Sequence, residues 1–296
     1  MKKYKPYLNR VDLVKNQVER EELREQEAKR KRSRSIQEQN RQRWLKYQEQ
    51  LRSELAARYF HSVQSVGGLD DESTFSNKFS VAFDGSNDFV DLGAIKPTGA
   101  MTISYWFKGK STTANATTLG TMGGGGHRGY QLSVNNGTAF FFQIASNSTT
   151  VKTVSHTLTF DHTQWYHFAG VYNPSTYMRI FINGSQVAES TSGIPSSQYV
   201  GNSNTTKIGN RGDGGTFGRF IGNIDEVAFF DSALTNDNIS TIYTGGPNDI
   251  SDLSPLSWYR MGDGDTFPTL TDNGSGGNDG TMTNMDSADI EEDVPS

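Results

Sequence analysis

Between residues 165 and 187 the side chains alternate with a period of two. Trp165, His167, Ala169 and Val171 interleave with Tyr166, Phe168, Gly170 and Tyr172, so large groups fall on both faces. That is the pattern of a strand inside a two-layer sandwich. Residues 173–176 (NPST) form a turn, because proline presets φ and asparagine tolerates turn geometry. The next strand, 177–183, puts Met178, Ile180 and Ile182 on one face. Asn183-Gly184 then supplies a type I′ hairpin turn, whose two central residues both need positive φ. A sheet with two apolar faces needs cover on both sides, so these hairpins belong at the centre of a larger β structure.

The same short apolar segments, separated by Gly, Asn, Ser and Thr, recur at 79–83, 89–92, 101–108, 117–121, 130–134, 139–144, 206–208 and 220–230. Their spacing and turn chemistry predict an all-β sandwich. One short helix is expected at 235–243, with Thr235 as its cap and Ile239, Ile242 and Tyr243 toward the sheet.

Before residue 66 the pattern differs. Residues 8–62 are rich in Glu, Gln, Arg, Lys, Leu and Ala and have neither Gly nor Pro, which predicts one long helix of about 80 Å. Its apolar residues fall in two islands, Leu8, Val11, Val14 and Val18, then Ile36, Trp44, Tyr47, Leu51, Leu55 and Tyr59, with an almost wholly charged stretch between. No heptad seam crosses that stretch, so the islands are read as docking surfaces for copies of the chain or for a larger assembly. The expected organisation is a helical anchor over 1–66, a linker over 67–77, a sandwich over 78–285 and a loosely held acidic tail over 286–296.

Charge sharpens this division. Residues 1–62 hold 17 Lys and Arg against 9 Asp and Glu, and the remainder 11 against 24, as expected of two parts with different partners. The basic cluster from Lys29 to Arg34 fits either nucleic-acid contact or a solvated helix face. The second is favoured, because no aromatic or polar base-reading set accompanies it. There is no cysteine, which excludes disulfides and thiolate metal sites. The five histidines show no ligand-like spacing. No apolar run is long enough for a membrane helix, and no secretory pattern follows Met1-Lys2-Lys3.

Four blocks, SVAFDGSNDFVDLG (80–93), MTISYWFKG (101–109), WYHFAGVYN with MRIFINGSQV (165–187) and IGNIDEVAFFDSALTNDNISTIY (221–243), together resemble the laminin-G-like branch of the concanavalin A-like lectin/glucanase superfamily. The resemblance implies a jelly roll of two antiparallel sheets with six or seven strands each. LSWYRMGDGDTFPTLTDNGSGGNDGTMTNM (256–285) looks like the segment that usually opens such a domain. It reads either as a permuted piece completing the sandwich or as the start of a second module. Completion is favoured, because Trp258, Tyr259, Met261, Phe267 and Leu270 are too few for a core of their own.

Enzymes of that superfamily use paired glutamates on one strand, and glycoside cleavage needs two carboxyls at fixed separation. The nearest pair is Asp225-Glu226, but neighbours on a regular strand point to opposite faces. Glu72 and Glu189 stand alone, and there is no Gly-x-Ser-x-Gly elbow. The GGGG run at 123–126 lacks the context of a phosphate loop and reads as a hairpin loop. The chain is therefore expected not to be an enzyme. Calcium is the candidate ion: Asp84, Asn87 and Asp88 offer oxygens within one turn, although the same residues are ordinary turn formers. Asp263 and Asp265 are a weaker second candidate. Asp225 is expected to fix the fold through backbone amides. His127, Arg128, Tyr130, Tyr199, Asn210, Arg211 and Asp213, in or near Gly-rich loops, are the candidate glycan ligands, while Trp106, Trp165, Phe181, Phe229 and Phe230 are expected in the core.

A lectin-like sandwich, a charged helix with docking islands and no export signal together suggest a non-enzymatic bacteriophage virion protein, released by lysis. The sandwich also resembles virion-associated proteins of marine phages. Such a protein would be a tail fibre, head fibre or capsid decoration, anchored to other virion proteins by the helix, trimeric, and displaying the sandwich to a glycan or host surface. The alternatives are a secreted or surface polysaccharide-binding or -cleaving protein, and an internal virion protein touching the genome through its basic helix.

Overall fold

A computed structural model describes residues 75–109, 116–124, 128–135 and 138–295, together with Glu21, which is helical and exposed. The chain divides into two compact units, Met1–Ser73 and Thr74–Ser296. The helix expected over 8–62, its two apolar islands and the basic cluster lie outside the described residues.

The second unit runs β1 (Ser80–Asp84), β2 (Phe89–Asp91), β3 (Met101–Gly109), β4 (Ala116–Gly120), β5 (Tyr130–Asn135), β6 (Ala139–Ala145), β7 (Val151–Thr157), β8 (Tyr166–Asn173), β9 (Tyr177–Ile182), β10 (Ser185–Ser190), β11 (Lys207–Ile208), β12 (Ile221–Phe230), helix α1 (Asn236–Thr244), β13 (Ser257–Tyr259), β14 (Thr269–Leu270), β15 (Gly280–Thr283) and β16 (Ile290–Glu291). Among the described residues these strands form two eight-stranded antiparallel sheets. Sheet A has the order β10-β9-β8-β3-β12-β1-β16, with β13 also paired to β12. Sheet B has the order β14-β15-β2-β11-β4-β5-β6-β7. Each sheet exceeds the expected six or seven strands because the segment after 255 adds two to each.

The sandwich core follows from the alternation. Met101, Ile103, Tyr105 and Phe107 of β3, Phe168 and Tyr172 of β8, and Met178 and Ile180 of β9 face Tyr130, Leu132 and Val134 of β5 and Phe140, Phe142 and Ile144 of β6; all are buried in one cluster. Full burial of such a side chain is worth about 1.5–3 kcal/mol, which fixes the register, since a slip of one residue would expose the whole set. Asn183 and Gly184 adopt φ of 49° and 71°, as the type I′ turn requires.

Sheet A is covered on its outer face too. Ala169, Val171, Phe181, Ala228, Phe230 and Trp258 pack with Ile239 and Ile242 of α1 and with Leu234 and Ile250 in a second apolar cluster. Thr235 caps α1 by accepting the amide of Asn238, whose side chain returns to the Thr235 amide. Tyr243 stacks on Trp106 with ring centroids 5.6 Å apart.

The sequence reading needs three corrections. β7 was not expected at all. The residues after 285, expected to be loose, are built in: β16 pairs with β1, Ser80 Oγ donates to the Asp293 carbonyl at 2.6 Å, Trp165 Nε1 donates to Asp293 Oδ1 at 3.1 Å, and Lys108 pairs with the same carboxylate. Trp165, expected in the core, is instead half-buried and covered by this tail.

Candidate functional site

The period-two rule that fills the core also decorates the outer face of sheet B. Because Tyr130, Leu132 and Val134 point inward, Gln131 and Ser133 point outward; because Phe140, Phe142 and Ile144 point inward, Phe141 and Gln143 point outward. These outward groups, with Thr117 of β4, floor a cleft of about 630 Å³. Met122, Gly123, Gly124, Arg128, Arg211, Phe217 and Gly218 wall it from the flanking loops. Phe217 is 79% exposed. Gln143 is held by donating from Nε2 to Thr153 Oγ1 at 3.0 Å.

The walls are pinned by Asp213. Its Oδ2 accepts the Gly124 amide at 2.7 Å and Arg211 Nη2 at 2.9 Å, and its Oδ1 accepts the Gly215 amide at 3.0 Å. Burial pushes this carboxyl up, but the two amides and the guanidinium outweigh it and hold it below the ordinary aspartate value. A Cβ at position 123 would sit 2.7 Å from Asp213, so the loop closes this tightly only with glycine there. The loop is thus anchored at its start by a carboxylate.

Of the seven expected ligand residues, Arg128 and Arg211 line the cleft and Asp213 braces its wall. His127 lies outside the described residues. Tyr130 is a core residue instead: it is fully buried, its hydroxyl donates to the Ile95 carbonyl at 2.9 Å, and burial pushes its pKa up. Asn210 is also buried, with Oδ1 accepting the Arg211 amide at 2.7 Å, so it shapes the loop. Tyr199 is half-buried away from the cleft lining, its ring against Gly201. Sequence reasoning missed Phe141, Phe217, Gln131, Ser133 and Gln143. The first and the last three could have been found by extending the alternation of β5 and β6 to the outer face.

The candidate calcium turn closes on its own amides. Asp84 Oδ1 accepts the Ser86 amide at 2.6 Å and the Asn87 amide at 3.4 Å, and Asp88 Oδ2 accepts the Asp84 amide at 2.9 Å. The Asn87 carbonyl takes Asn284 Nδ2 at 3.1 Å. Asp88 is pushed up to about 6, chiefly by burial, with the charges of Asp84 and Asp289 adding to it. Asp263 accepts the amides of Lys78 and Phe79, and Asp265 those of Gly262 and Thr271. Both candidate turns are therefore engaged as backbone staples. Among the described residues no three His, Asp or Glu side chains converge so as to hold a metal ion.

Asp225 and Glu226 depart from the expected geometry. β12 carries a bulge between Asp225 and Ala228, with Glu226 at φ 48°. The inward residues accordingly run Ile224, Val227, Phe229, and adjacent residues no longer alternate. Asp225 accepts Asn77 Nδ2 at 2.7 Å and the Glu226 amide at 2.8 Å, while Glu226 accepts from Trp258. Asp225 is fully buried and Glu226 is 7% exposed. Burial above all, then the neighbouring Glu226 charge, pushes the Asp225 carboxyl well up. The pair braces the outer face of sheet A, on the side opposite the cleft.

Residues 84–240 match the family model described as the concanavalin A-like lectin/glucanases superfamily. No curated protein matches the chain. Among solved structures, a proposed carbohydrate-binding protein from Bacteroides ovatus is 17% identical with a TM-score of 0.55, covering 75% of this chain and 62% of its own. The CBM40 module of the Ruminococcus gnavus IT-sialidase, bound to α2,3-sialyllactose, is 16% identical with a TM-score of 0.45, covering 56% and 97%. The SAP-like pentraxin of Limulus polyphemus is 17% identical with a TM-score of 0.42, covering 56% and 82%. The chain thus spans less than two thirds of the Bacteroides protein. At these identities the likeness is one of fold.

Proposed function

Since the chain belongs to the concanavalin A-like lectin/glucanase superfamily by way of residues 84–240, we propose that it is a non-enzymatic binding module that takes a saccharide in the cleft on the outer face of sheet B. One observation carries the reading: Phe217, 79% exposed, shares a cleft with Phe141 and with the amide and hydroxyl side chains of Gln131, Ser133 and Gln143. A sugar ring offers an apolar C–H face and a rim of hydroxyls, and a cleft with aromatic and amide groups meets both. The proposed carbohydrate-binding protein of similar fold from Bacteroides is consistent with this. The non-enzymatic part is supported by Asp225 and Glu226, the nearest acidic pair in sequence, being buried on the other sheet.

A glycan array probed with the full chain tests the reading. Binding should be weakened in Phe217→Ala and, to a lesser degree, in Gln143→Ala while both variants keep the parent melting temperature; no binding to any saccharide would overturn it.

The finer proposal is a virion component that presents this module to a host surface, anchored to other virion proteins through residues 1–66. It is supported by the resemblance to phage virion proteins and by the two apolar islands of that segment. Trimerisation goes with it. Sedimentation of the full chain should give three copies, and a monomer at micromolar concentration would remove the trimer.

A further inference from the structure

The cleft has a charge pattern that saccharide binding alone does not use. Residues 74–296 hold 11 Lys and Arg against 21 Asp and Glu, so acid outnumbers base about two to one in this unit. Yet the ionic side chains that line the cleft are both cationic, Arg128 and Arg211.

The two arginines are not equivalent. Arg211 is neutralised by Asp213, 2.9 Å away, and that carboxylate is itself tied to two loop amides. Arg211 is therefore part of the wall. Arg128 has no counterpart: its Nε is buried without a hydrogen-bond partner, and among the described residues no carboxylate lies in ion-pair range of it. Its main chain is fixed, since Asn202 Nδ2 donates to its carbonyl. A guanidinium cannot lose its charge, and one that lines a cleft with no carboxylate beside it is suited to an anionic acceptor. The planar fork of the guanidinium matches a carboxylate with two parallel hydrogen bonds. A long polyanion is a poor candidate, because the net negative charge of the unit would repel its remaining charges. A single acid group on a short sugar meets only the cationic spot.

Building on the saccharide reading above, we propose that the cleft selects a carboxylate-bearing saccharide, whose acid group is taken by Arg128 while its ring lies against Phe217 and Phe141.

The test titrates the full chain with uronate oligomers and sialylated oligosaccharides, each beside the same compound after reduction of its carboxyl to an alcohol. The acid form should bind on the order of 10- to 100-fold more tightly, the range of a charge-assisted hydrogen bond. That ratio should shrink in high salt and fall toward one in Arg128→Gln. Should Arg128→Gln fail to fold, Arg128→Lys keeps the charge, loses the fork, and should reduce the ratio severalfold. Phe217→Ala should weaken both forms alike. Equal binding of both forms would overturn the acid selectivity and leave the saccharide reading standing. A ratio that survives both substitutions at Arg128 would overturn the role of that residue. Binding of neither form would overturn the saccharide reading itself, and this inference with it.

Discussion

Trp258 donates its indole N–H to Glu226 Oε2 at 2.6 Å, inside the bulge of β12. The other oxygen, Oε1, faces Arg260 Nε at 3.4 Å, and the Arg260 guanidinium lies 3.9 Å from the centre of the Phe75 ring. A bulge, a buried acid and the segment entering β1 are thus joined in one assembly.

That assembly should respond to pH. Burial pushes the Glu226 carboxyl up to about 7 from 4.5, against the opposing pull of Trp258 and Arg260. The folded state then holds a proton that the unfolded chain would release. The resulting stability is full below about pH 4.5 and is lost as the pH rises through 7. Glu226→Gln abolishes this titration. Between pH 4.5 and 8 the unfolding free energy of the variant should gain on that of the parent by up to about 3 kcal/mol. Denaturant melts of both proteins across that range measure it, and a constant difference would refute it.

The β9–β10 turn should accept no side chain at Gly184. Its φ is 71°, and a Cβ there would lie 2.8 Å from the Tyr243 ring. Gly184→Ala must strain the turn or push Tyr243 off Trp106. A loss of about 1–3 kcal/mol is expected, accompanied by a changed near-ultraviolet signal from Trp106.

Deleting residues 290–296 should harm the sandwich far more than removal of a loose tail would. It strips β16 from the edge of β1 and the Asp293 carboxylate from Lys108 and Trp165. At about 1 kcal/mol for each hydrogen bond lost, the melting temperature should fall by roughly 5–10 °C. Aggregation through the uncovered β1 edge should follow. An unchanged melting curve would count against the paired tail.

The turn at Asp84, Asn87 and Asp88 should hold without an ion, because its own amides already take up one oxygen of each carboxylate. Melting temperatures in chelator and in millimolar calcium should therefore coincide. A rise in calcium that disappears in Asp88→Asn would instead locate a calcium site there.

The parts of this fold that could be read from the chain are those where several buried residues recur at a strict period. β8, β9 and the Asn183-Gly184 turn are of that kind, and so is α1 with its Thr235 cap. β7 escaped because Val154 is its one buried residue, and its two valines, Val151 and Val154, stand three apart and make no period of two. β13, β14 and β16 are two or three residues long, too short for any pattern to show. For the cleft, the neighbourhood of Gly-rich loops pointed to Arg128 and Arg211, which the structure places in its lining. It misled at Tyr130, whose place in the Tyr130–Leu132–Val134 series outweighs its nearness to a loop. Phe217 was invisible, since nothing local distinguishes an aromatic that caps a core from one that overhangs a cleft.

The segments before β1 and after β16 both pack against sheet A. Phe75 packs on Trp258 at the outer face of sheet A, and Asp293 fastens to Lys108 and Trp165 beside β1; the cleft opens on sheet B. The outer face of sheet A and the cleft of sheet B thus lie on opposite sides of the sandwich. Joining those two stretches by a linker and reopening the chain at a distant hairpin should give a circular permutant of the sandwich with its cleft intact.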